Sequence, residues 1–152
     1  MVSMRGTMAL LVVYMLGCAG PGGAEYTLRL DGASISRDEA CGDDSDGSWD
    51  GSDNAPDPMV LVVDNASGDE WASAELQEEW EPEWNQAVFD GSSVRSDDLR
   101  DWGVTVALLE VDGFDEDAIV DESYRLSDDD IDARAFEIAN DCGSVRFSLV
   151  AG

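Results

Sequence analysis

The stretch EYTLRLDGASI, residues 25–35, constrains the fold more than any other part of the chain. Its apolar residues Tyr26, Leu28 and Leu30 occupy every second position, which is the period of a strand with one buried face. Further strand-like segments are PMVLVVD, EWASAEL, EWNQAVFD, WGVTVALLEVD and SVRFSLV, with turn-rich residues between them. Six or more short strands at this spacing predict an antiparallel β-sandwich.

Helical periodicity is scarce in the sequence. One segment, DDDIDARAFEIAND, is compatible with a single short helix near the carboxy end. The length of 152 residues suits one domain with one hydrophobic core, and no internal repeat is present.

The charge balance excludes several classes of function. Thirty-five Asp and Glu stand against eight basic residues, all of them Arg, and His is absent. A nucleic-acid partner is disfavoured because phosphate binding needs many basic side chains, and direct attachment to an anionic membrane is disfavoured for the same reason. The usual general base and zinc ligand are missing, so only carboxylate chemistry is left for an enzyme. No carboxylate motif points to a small-molecule substrate, and we predict a protein that is not an enzyme. A surface adapted to a salty environment stays open as an explanation of the acid excess.

The amino terminus has the pattern of an export signal. Arg5 precedes an apolar run, residues 8–16, that is too short to span a bilayer. The following Gly17-Cys18 resembles the end of a bacterial lipobox. The resemblance predicts a lipoprotein signal peptide over residues 1–17, acylation of Cys18, and a flexible tether over residues 18–24. The protein would then be exported and lipid-anchored in the cell envelope. The alternative is an ordinary signal peptide that leaves Cys18 unmodified.

The remaining cysteines, Cys41 and Cys142, form an even pair in a chain predicted to enter an oxidising compartment. A disulfide between them would close a loop of about 100 residues and contribute at most about 4–5 kcal/mol in the chain-entropy model. We predict that they pair. The alternative is two unpaired buried thiols.

Three segments of the chain carry a family resemblance: DGSDNAPDPMVLVVD, WEPEWNQAVF and VTVALLEVDGFDEDAI. Together they resemble the C2 domain, the calcium-dependent lipid-binding sandwich of protein kinase C and synaptotagmins. In that order they resemble its first calcium loop, its Asn-Pro-x-Trp-Asn-Glu-x-Phe stretch and its third loop. They follow the order of the family, and GSVRFSLV fits its closing strand. The resemblance covers nearly all of residues 25–152 and implies an all-β, eight-stranded Greek-key sandwich.

Some residues depart from the family pattern. Met59 stands where Tyr is usual, Leu61 where Lys is common, and Glu110 where Asp is usual. The first loop is one residue longer and the third is one residue shorter. These departures bear on the number and affinity of the ions more than on the fold.

The resemblance implies a calcium site built from two acidic loops. Calcium takes six to eight oxygen ligands, and Glu110 and Asp112 lie two apart at a strand end, where they share a face. One or two calcium ions would be held by these residues: Asp50, Asp57, Glu110, Asp112, Asp115 and Asp117. An EF-hand in GDDSDGSWDGSD is rejected because Gly42 occupies its first position and no helices flank it.

Trp49 and Phe114 fall near the tips of the two acidic loops and are expected to contact lipid. The alternative for Trp49 is that it folds back onto the sandwich. The other tryptophans are expected to pack in the core or at its edges: Trp71, Trp80, Trp84 and Trp102. The function implied is metal-dependent contact with phospholipid headgroups or a protein partner. The alternative is a metal-independent envelope lipoprotein with a degenerate calcium site.

Overall fold

The computed structural model describes residues 23–38, 40–42, 55–112 and 115–152, without the side chains of Asp112 and Asp115. These residues form two sheets in which every neighbouring pair of strands is antiparallel. One buried apolar cluster draws side chains from both sheets. The predicted β-sandwich is therefore confirmed.

The larger sheet has five strands. They are β1 (Glu25–Ile35), β4 (Glu83–Ala87), β5 (Ser93–Arg95), β8 (Ala135–Ala139) and β9 (Gly143–Ala151). Their order is β4-β1-β9-β8, and β5 pairs with the start of β1, on the same side as β4.

The smaller sheet has four strands: β2 (Pro58–Asp64), β3 (Glu70–Ala72), β6 (Val104–Asp112) and β7 (Asp115–Tyr124). Their order is β3-β2-β6-β7. The described residues thus contain nine strands rather than eight, because the three residues of β5 form a separate strand on β1.

Two short helices connect the strands: α1 (Ser96–Asp101) and α2 (Asp128–Ala133). A 3-10 turn at Val88–Gly91 follows β4. The sequence predicts α2 but not α1, which buries Leu99 and is stabilised by this tertiary contact rather than by a long periodic pattern. Helix α2 has a capping box in which Ser127 and Asp130 satisfy each other's backbone N–H groups.

The core lies between the inner faces of the two sheets. The alternation seen in residues 25–35 is confirmed, since Leu28 and Leu30 are fully buried. Phe136 stacks between Tyr124 and Phe147, with ring centroids 5.7 and 5.0 Å away. Stacked aromatic pairs of this kind stabilise a core beyond the area that they bury.

The sandwich has two ends of different character. At the helical end lie α1, α2, the start of β1 and the start of β6. At the loop end lie residues 55–57, the end of β6 and the start of β7. The end of β1 lies there as well. Its last residue, Ile35, pairs with Gly143 of β9, and Gly143 approaches Ile119 of β7.

The predicted disulfide between Cys41 and Cys142 is present, with a Cα–Cα distance of 5.3 Å and a sequence separation of 101. It joins the segment after β1 to the turn before β9 at the loop end. Disulfides persist in oxidising compartments, so the bond favours a location outside the cytoplasm. None of the described helices is long and apolar enough to cross a membrane.

The tryptophans divide into two groups. Trp71, Trp80 and Trp84 are partly buried and pack against the core, as predicted. Trp102 is 58% exposed, so the prediction of core or edge packing is wrong for this residue. It caps α1 just before Gly103, where a positive φ of 72° turns the chain into β6 and leaves the indole outside the sandwich.

Candidate functional site

The residues before β2 lie against the end of β6. The backbone N–H of Val111 donates to the carbonyl oxygen of Asp57 at 3.1 Å, and Pro58 pairs with Glu110. Residues 57 and 58, which follow the first acidic loop, are therefore neighbours of the end of β6 in the sheet.

Glu110 is fully buried. It lies in the same inward row of β6 as Val106 and Leu108, between Pro58 on one side and Asp117 on the other. A carboxylate in such a position costs free energy unless hydrogen-bond donors or positive charge stabilise it. Since its side chain is fully buried, Glu110 is the described acid that is most shielded from water.

Asp117 is exposed and lies directly opposite Glu110 on β7. Residues paired in this way bring their Cβ atoms to within about 4.5–5.5 Å on one face of a sheet. Asp115 and Asp117 belong to the strand β7 and not to the third loop, because pairing with β6 begins at Asp115. Pairing therefore holds the acids of β7 beside those of β6.

A crossing segment, residues 76–82, closes the loop end between the two sheets. On the side of the smaller sheet, the N–H of Leu76 donates to Pro58 O at 3.0 Å and that of Glu79 donates to Pro56 O at 2.9 Å. On the side of the larger sheet, Trp80 O accepts from the N–H of Ile35 at 2.9 Å. The segment thus fixes residues 56–58 against the end of β1.

The carboxylate of Asp57 contacts the crossing segment. Its Oδ1 accepts a hydrogen bond from the N–H of Glu78 at 2.7 Å, and its Oδ2 accepts one from Gln77 Nε2 at 3.3 Å. Each carboxylate oxygen has two lone pairs, so both retain capacity to bind a cation. The sequence predicts no contact of this segment with Asp57, because the two hydrogen bonds join residues that are 20 and 21 positions apart.

A basic side chain also lies at this end. The guanidinium of Arg37 is 5.1 Å from the centroid of the Trp80 ring, a distance suited to a cation–π interaction. Trp80 in turn lies in the crossing segment and packs against the core. The pair therefore helps to hold the segment whose backbone orients Asp57.

The structure brings part of the predicted site together. The backbones of Asp57, Glu110 and Asp117 lie on adjacent strands or strand ends, and the register sets the backbone of Asp112 opposite that of Asp115. Outside the described residues lie Asp50, Trp49, Phe114 and Cys18. Among the side chains that are described, no group of three or more Asp, Glu, Cys or His could hold a metal ion.

The clearest pKa shifts lie at the helical end. Burial, followed by the hydrogen bond to Asp130, raises the pKa of Tyr124. Burial alone would raise the pKa of Asp130, but hydrogen bonds from Ser127 and Tyr124 outweigh it and hold the pKa below its usual value. These groups cap α2, and the shifts reflect a structural role there.

Solved structures similar to this chain include C2 domains. A C2 domain of plant extended synaptotagmin 1 aligns with a TM-score of 0.54 at 11% identity, over 84% of this chain and 92% of that one. A structure of two C2 domains of extended synaptotagmin 2, calcium bound, aligns with a TM-score of 0.52 at 13% identity, over 86% of this chain and 46% of that one.

Human GIVD cytosolic phospholipase A2, with an inhibitor and terbium chloride, aligns with a TM-score of 0.53 at 15% identity. The match covers 85% of this chain but only 17% of the phospholipase chain. No protein-family model matches the sequence, and no curated protein matches it. At these identities the likenesses concern the fold. The chain folds as a C2-like β-sandwich.

Proposed function

We propose that this chain is a calcium-binding module, anchored by lipid at Cys18, that contacts phospholipid headgroups in a metal-dependent way. The observation that carries the proposal is the position of Glu110. It is a fully buried carboxylate near the carboxy-terminal end of β6, between Pro58 and Asp117. Oxygen ligands of this kind are those that calcium prefers.

The donor set fits a hard cation. The acids of the predicted site are all carboxylates, and the sequence offers no His that would favour zinc or another transition metal. The residues that would hold calcium are Asp50, Asp57, Glu110, Asp112, Asp115 and Asp117. A bound ion would offset the mutual repulsion of these acids and attract phosphate oxygens.

The chain itself supplies the reason why contact with lipid would require the metal. It has no Lys and a net charge of −27, so a phosphate surface repels the bare protein. Trp49 and Phe114, which the resemblance sets near the loop tips, would enter the headgroup layer once the ions have neutralised the acids. The similar structure of extended synaptotagmin 2 is calcium bound, which supports calcium as the ion.

The proposal is tested by sedimentation with vesicles that contain phosphatidylserine, using residues 18–152 with Cys18→Ser, which lack both the apolar leader and the lipid. Binding is expected with calcium and not with magnesium. Asp57→Asn with Asp112→Asn should abolish it. A matched variant, Asp101→Asn with Asp132→Asn, makes the same change of charge at exposed positions of the helical end and should bind normally. Equal binding by the two double variants would refute the site.

A second candidate is a metal-independent interaction protein with a degenerate site. It is favoured by the lack of a three-acid group among the described side chains. The two candidates differ in thermal unfolding, since only a calcium-binding protein gains stability from calcium relative to magnesium. A melting temperature that calcium leaves unchanged would favour the metal-independent interaction protein.

A further inference from the structure

The outer face of the smaller sheet is apolar along its central strand β2. Val60 and Val62 of this strand are fully buried in the core between the sheets. The alternate residues belong to the opposite face and are only partly buried: Met59, Leu61 and Val63. A strand that is apolar on both faces is typical of one that is covered on both sides.

The second central strand, β6, continues this outer row. Ala107 is paired with Leu61, and residues paired in this way share a face. Leu109 is paired with Met59 in the same manner. Leu109 is only 7% exposed although it lies outside the described core cluster. The outer residues of β2 and β6 therefore form a second apolar cluster, which we call the outer strip: Met59, Leu61, Val63, Ala107 and Leu109.

The larger sheet has no such strip on its central strands. On their outer faces, β1 and β9 carry mainly polar side chains: Thr27, Arg29, Asp31, Arg146 and Ser148. The two described helices also pack elsewhere, since α1 contacts β5 and α2 contacts β8, both in the larger sheet. The outer strip thus distinguishes one face of the molecule and is not covered by either described helix.

Acidic side chains border the outer strip on both sides. On the edge strand β3, Glu70 is paired with Val63 and is exposed. On the opposite edge strand β7, Asp121 is paired with Ala107 and is exposed as well. The four strands of this sheet contain no Lys and no Arg. The electrostatic potential over this face is therefore negative along both borders.

The outer strip has the dimensions of an α-helix. From Met59 to Val63 it is about 14 Å long at the usual rise of a strand, and the edge strands lie about 14 Å apart. A helix with its side chains is about 10–12 Å wide, and about nine of its residues span the length of the strip. A helix lying along β2 and β6 would place its flanks beside the acidic edge strands.

A cavity of about 280 Å³ lies along β2 and β3, beside the outer strip. Leu61 and Val63 of the strip line it, together with the acidic Glu70. An apolar side chain of a bound helix would fill this cavity, and a basic side chain next to it would reach the carboxylate of Glu70. Burial of the apolar group would stabilise the complex, and the charge pair would orient it.

Charge disfavours three other occupants. Lipid phosphates would be repelled by Glu70 and Asp121 at the borders. A second copy of the chain would bring the same acidic edge strands against its own. The parts of residues 18–152 that lie outside the described residues contain no Lys or Arg, so they cannot supply the complementary charge.

We propose that the outer face of the smaller sheet docks a partner protein through an amphipathic helix. The apolar stripe of this helix covers the outer strip, and Lys or Arg residues on both of its flanks pair with the acids of β3 and β7. The surface lies on the opposite face of the sheet from Glu110, which belongs to the inward row of β6. The docking therefore does not depend on the proposed calcium binding.

The docking is tested with residues 18–152 that carry Cys18→Ser, in the presence of a chelator. The probe is a fluorescent peptide of about five helical turns, with a Leu stripe and Lys on both flanks. A peptide of the same composition in scrambled order lacks the stripe. Fluorescence anisotropy should show at least about tenfold tighter binding of the striped peptide. Equal affinities, or no binding, would overturn the proposal.

An uncharged substitution tests the apolar part of the surface. Leu61→Thr reduces the apolar area and keeps a residue type that strands favour, so it should raise the dissociation constant at least about fivefold. The matched control is Val150→Thr, at an apolar residue of the larger sheet that is 48% exposed. It should change the dissociation constant by less than about twofold. Equal effects of the two substitutions would overturn the assignment of the face.

A pair of charge substitutions tests the acidic borders. Glu70→Gln with Asp121→Asn should weaken the binding of the striped peptide several-fold and reduce its dependence on salt. Asp101→Asn with Asp132→Asn makes the same change of charge at the helical end and should weaken it less. Equal losses would show that the peptide responds to the net charge and not to this face.

Two further measurements decide between this proposal and the other occupants. On the unsubstituted surface, backbone amide shifts caused by the peptide should be concentrated in β2, β3, β6 and β7, and shifts in the larger sheet would overturn the proposal. A dimer, or binding to phosphatidylcholine vesicles, that Leu61→Thr abolishes would assign the face to a second copy or to a membrane instead. Because a chelator is present throughout, failure here leaves the calcium proposal to its own test.

Discussion

The two ends of this sandwich use the same kind of side chain in different ways. At the helical end, Arg100 pairs with Asp97 at 3.2 Å and with Asp128 at 2.7 Å, while Asp130 caps α2. At the loop end, Glu110 is fully buried, and backbone and amide donors of the crossing segment hold Asp57. Carboxylates at the first end stabilise helices, whereas those at the second are concentrated between strand ends.

The acids that make up the net charge of −27 therefore do not all have the same role. A solvated surface explains exposed acids such as Asp121 and Glu122. It does not explain a buried glutamate beside two other acidic positions, because burial removes the water that makes such charges harmless. Four substitutions test the contrast between the two ends.

The largest effect is expected from the disulfide at the loop end. Replacing Cys41 and Cys142 by Ser should lower the free energy of unfolding by about 2–5 kcal/mol, because the bond closes a loop of about 100 residues. Urea unfolding of the oxidised protein and the variant measures this. A loss below about 1 kcal/mol would mean that the loop end does not depend on the bond.

The next effect concerns the buried glutamate. Glu110→Gln keeps the shape of the side chain and removes its charge, so the dissociation constant for calcium should rise by about tenfold or more, equivalent to ~1.4 kcal/mol. Calcium titrations of the two proteins measure the change. Glu116→Gln, an exposed change on β7, serves as the control. Equal affinities of the two variants would remove Glu110 from the site.

A smaller effect is expected at the helical end. Asp130→Asn should lower the free energy of unfolding by about 1 kcal/mol at pH 7, because it weakens the cap of α2. The pKa of Asp130 is held below its ordinary value of 3.8, so this stabilisation is present above that value. It is lost as the pH falls through the lower pKa of the folded state.

Unfolding measured from pH 7 downward therefore should show the difference between the native chain and Asp130→Asn disappearing in acid. Asp129→Asn, in the same first turn, is the control and should change stability by only about a few tenths of a kcal/mol. A difference for Asp130→Asn that persisted below the folded pKa would contradict a role of its charge.

The smallest effect is expected from Trp102→Ala. The side chain is 58% exposed, so the free energy of unfolding should change by no more than about 0.5 kcal/mol. Thermal unfolding of the anchor-free chain measures it. A loss above about 1 kcal/mol would show that the indole packs on the sandwich.

The sequence predicts the strands where the local pattern and the tertiary pairing agree. Residues 25–35 and 58–64 form strands over their whole length, because alternation or a continuous apolar run matches the pleat. EWASAEL forms a strand only at Glu70–Ala72. There Ser73 ends the pairing, because its hydroxyl accepts from the N–H of Val60 at 2.9 Å.

Other elements depend on contacts that a local pattern does not contain. The acids of DEDAIVDESY suggest a loop, yet pairing along β6 makes this segment β7. AFEIA lies within the stretch interpreted as a possible helix, but it forms β8, with Phe136 and Ile138 buried against the core. Tertiary pairing overrides weak local preference in both cases.

The candidate site is predictable only in part. The spacing of Glu110 from Asp112 and the position of Asp57 before an apolar strand indicate the loop end. The crossing segment is not predictable in this way, since its bonds to Asp57 and Ile35 join residues far apart in the chain and leave no periodic signature. Such long-range backbone contacts are set by the fold and not by local residue choice.

The most direct test is a calorimetric titration of calcium into residues 18–152 with Cys18→Ser, after a chelator has removed any bound calcium. We expect binding in the millimolar range or tighter, lost in Asp57→Asn with Asp112→Asn and kept in Asp101→Asn with Asp132→Asn. No heat from the parent chain, together with a melting temperature that calcium leaves unchanged, would contradict the account. The acids of the loop end would then be part of the fold and not a cation site.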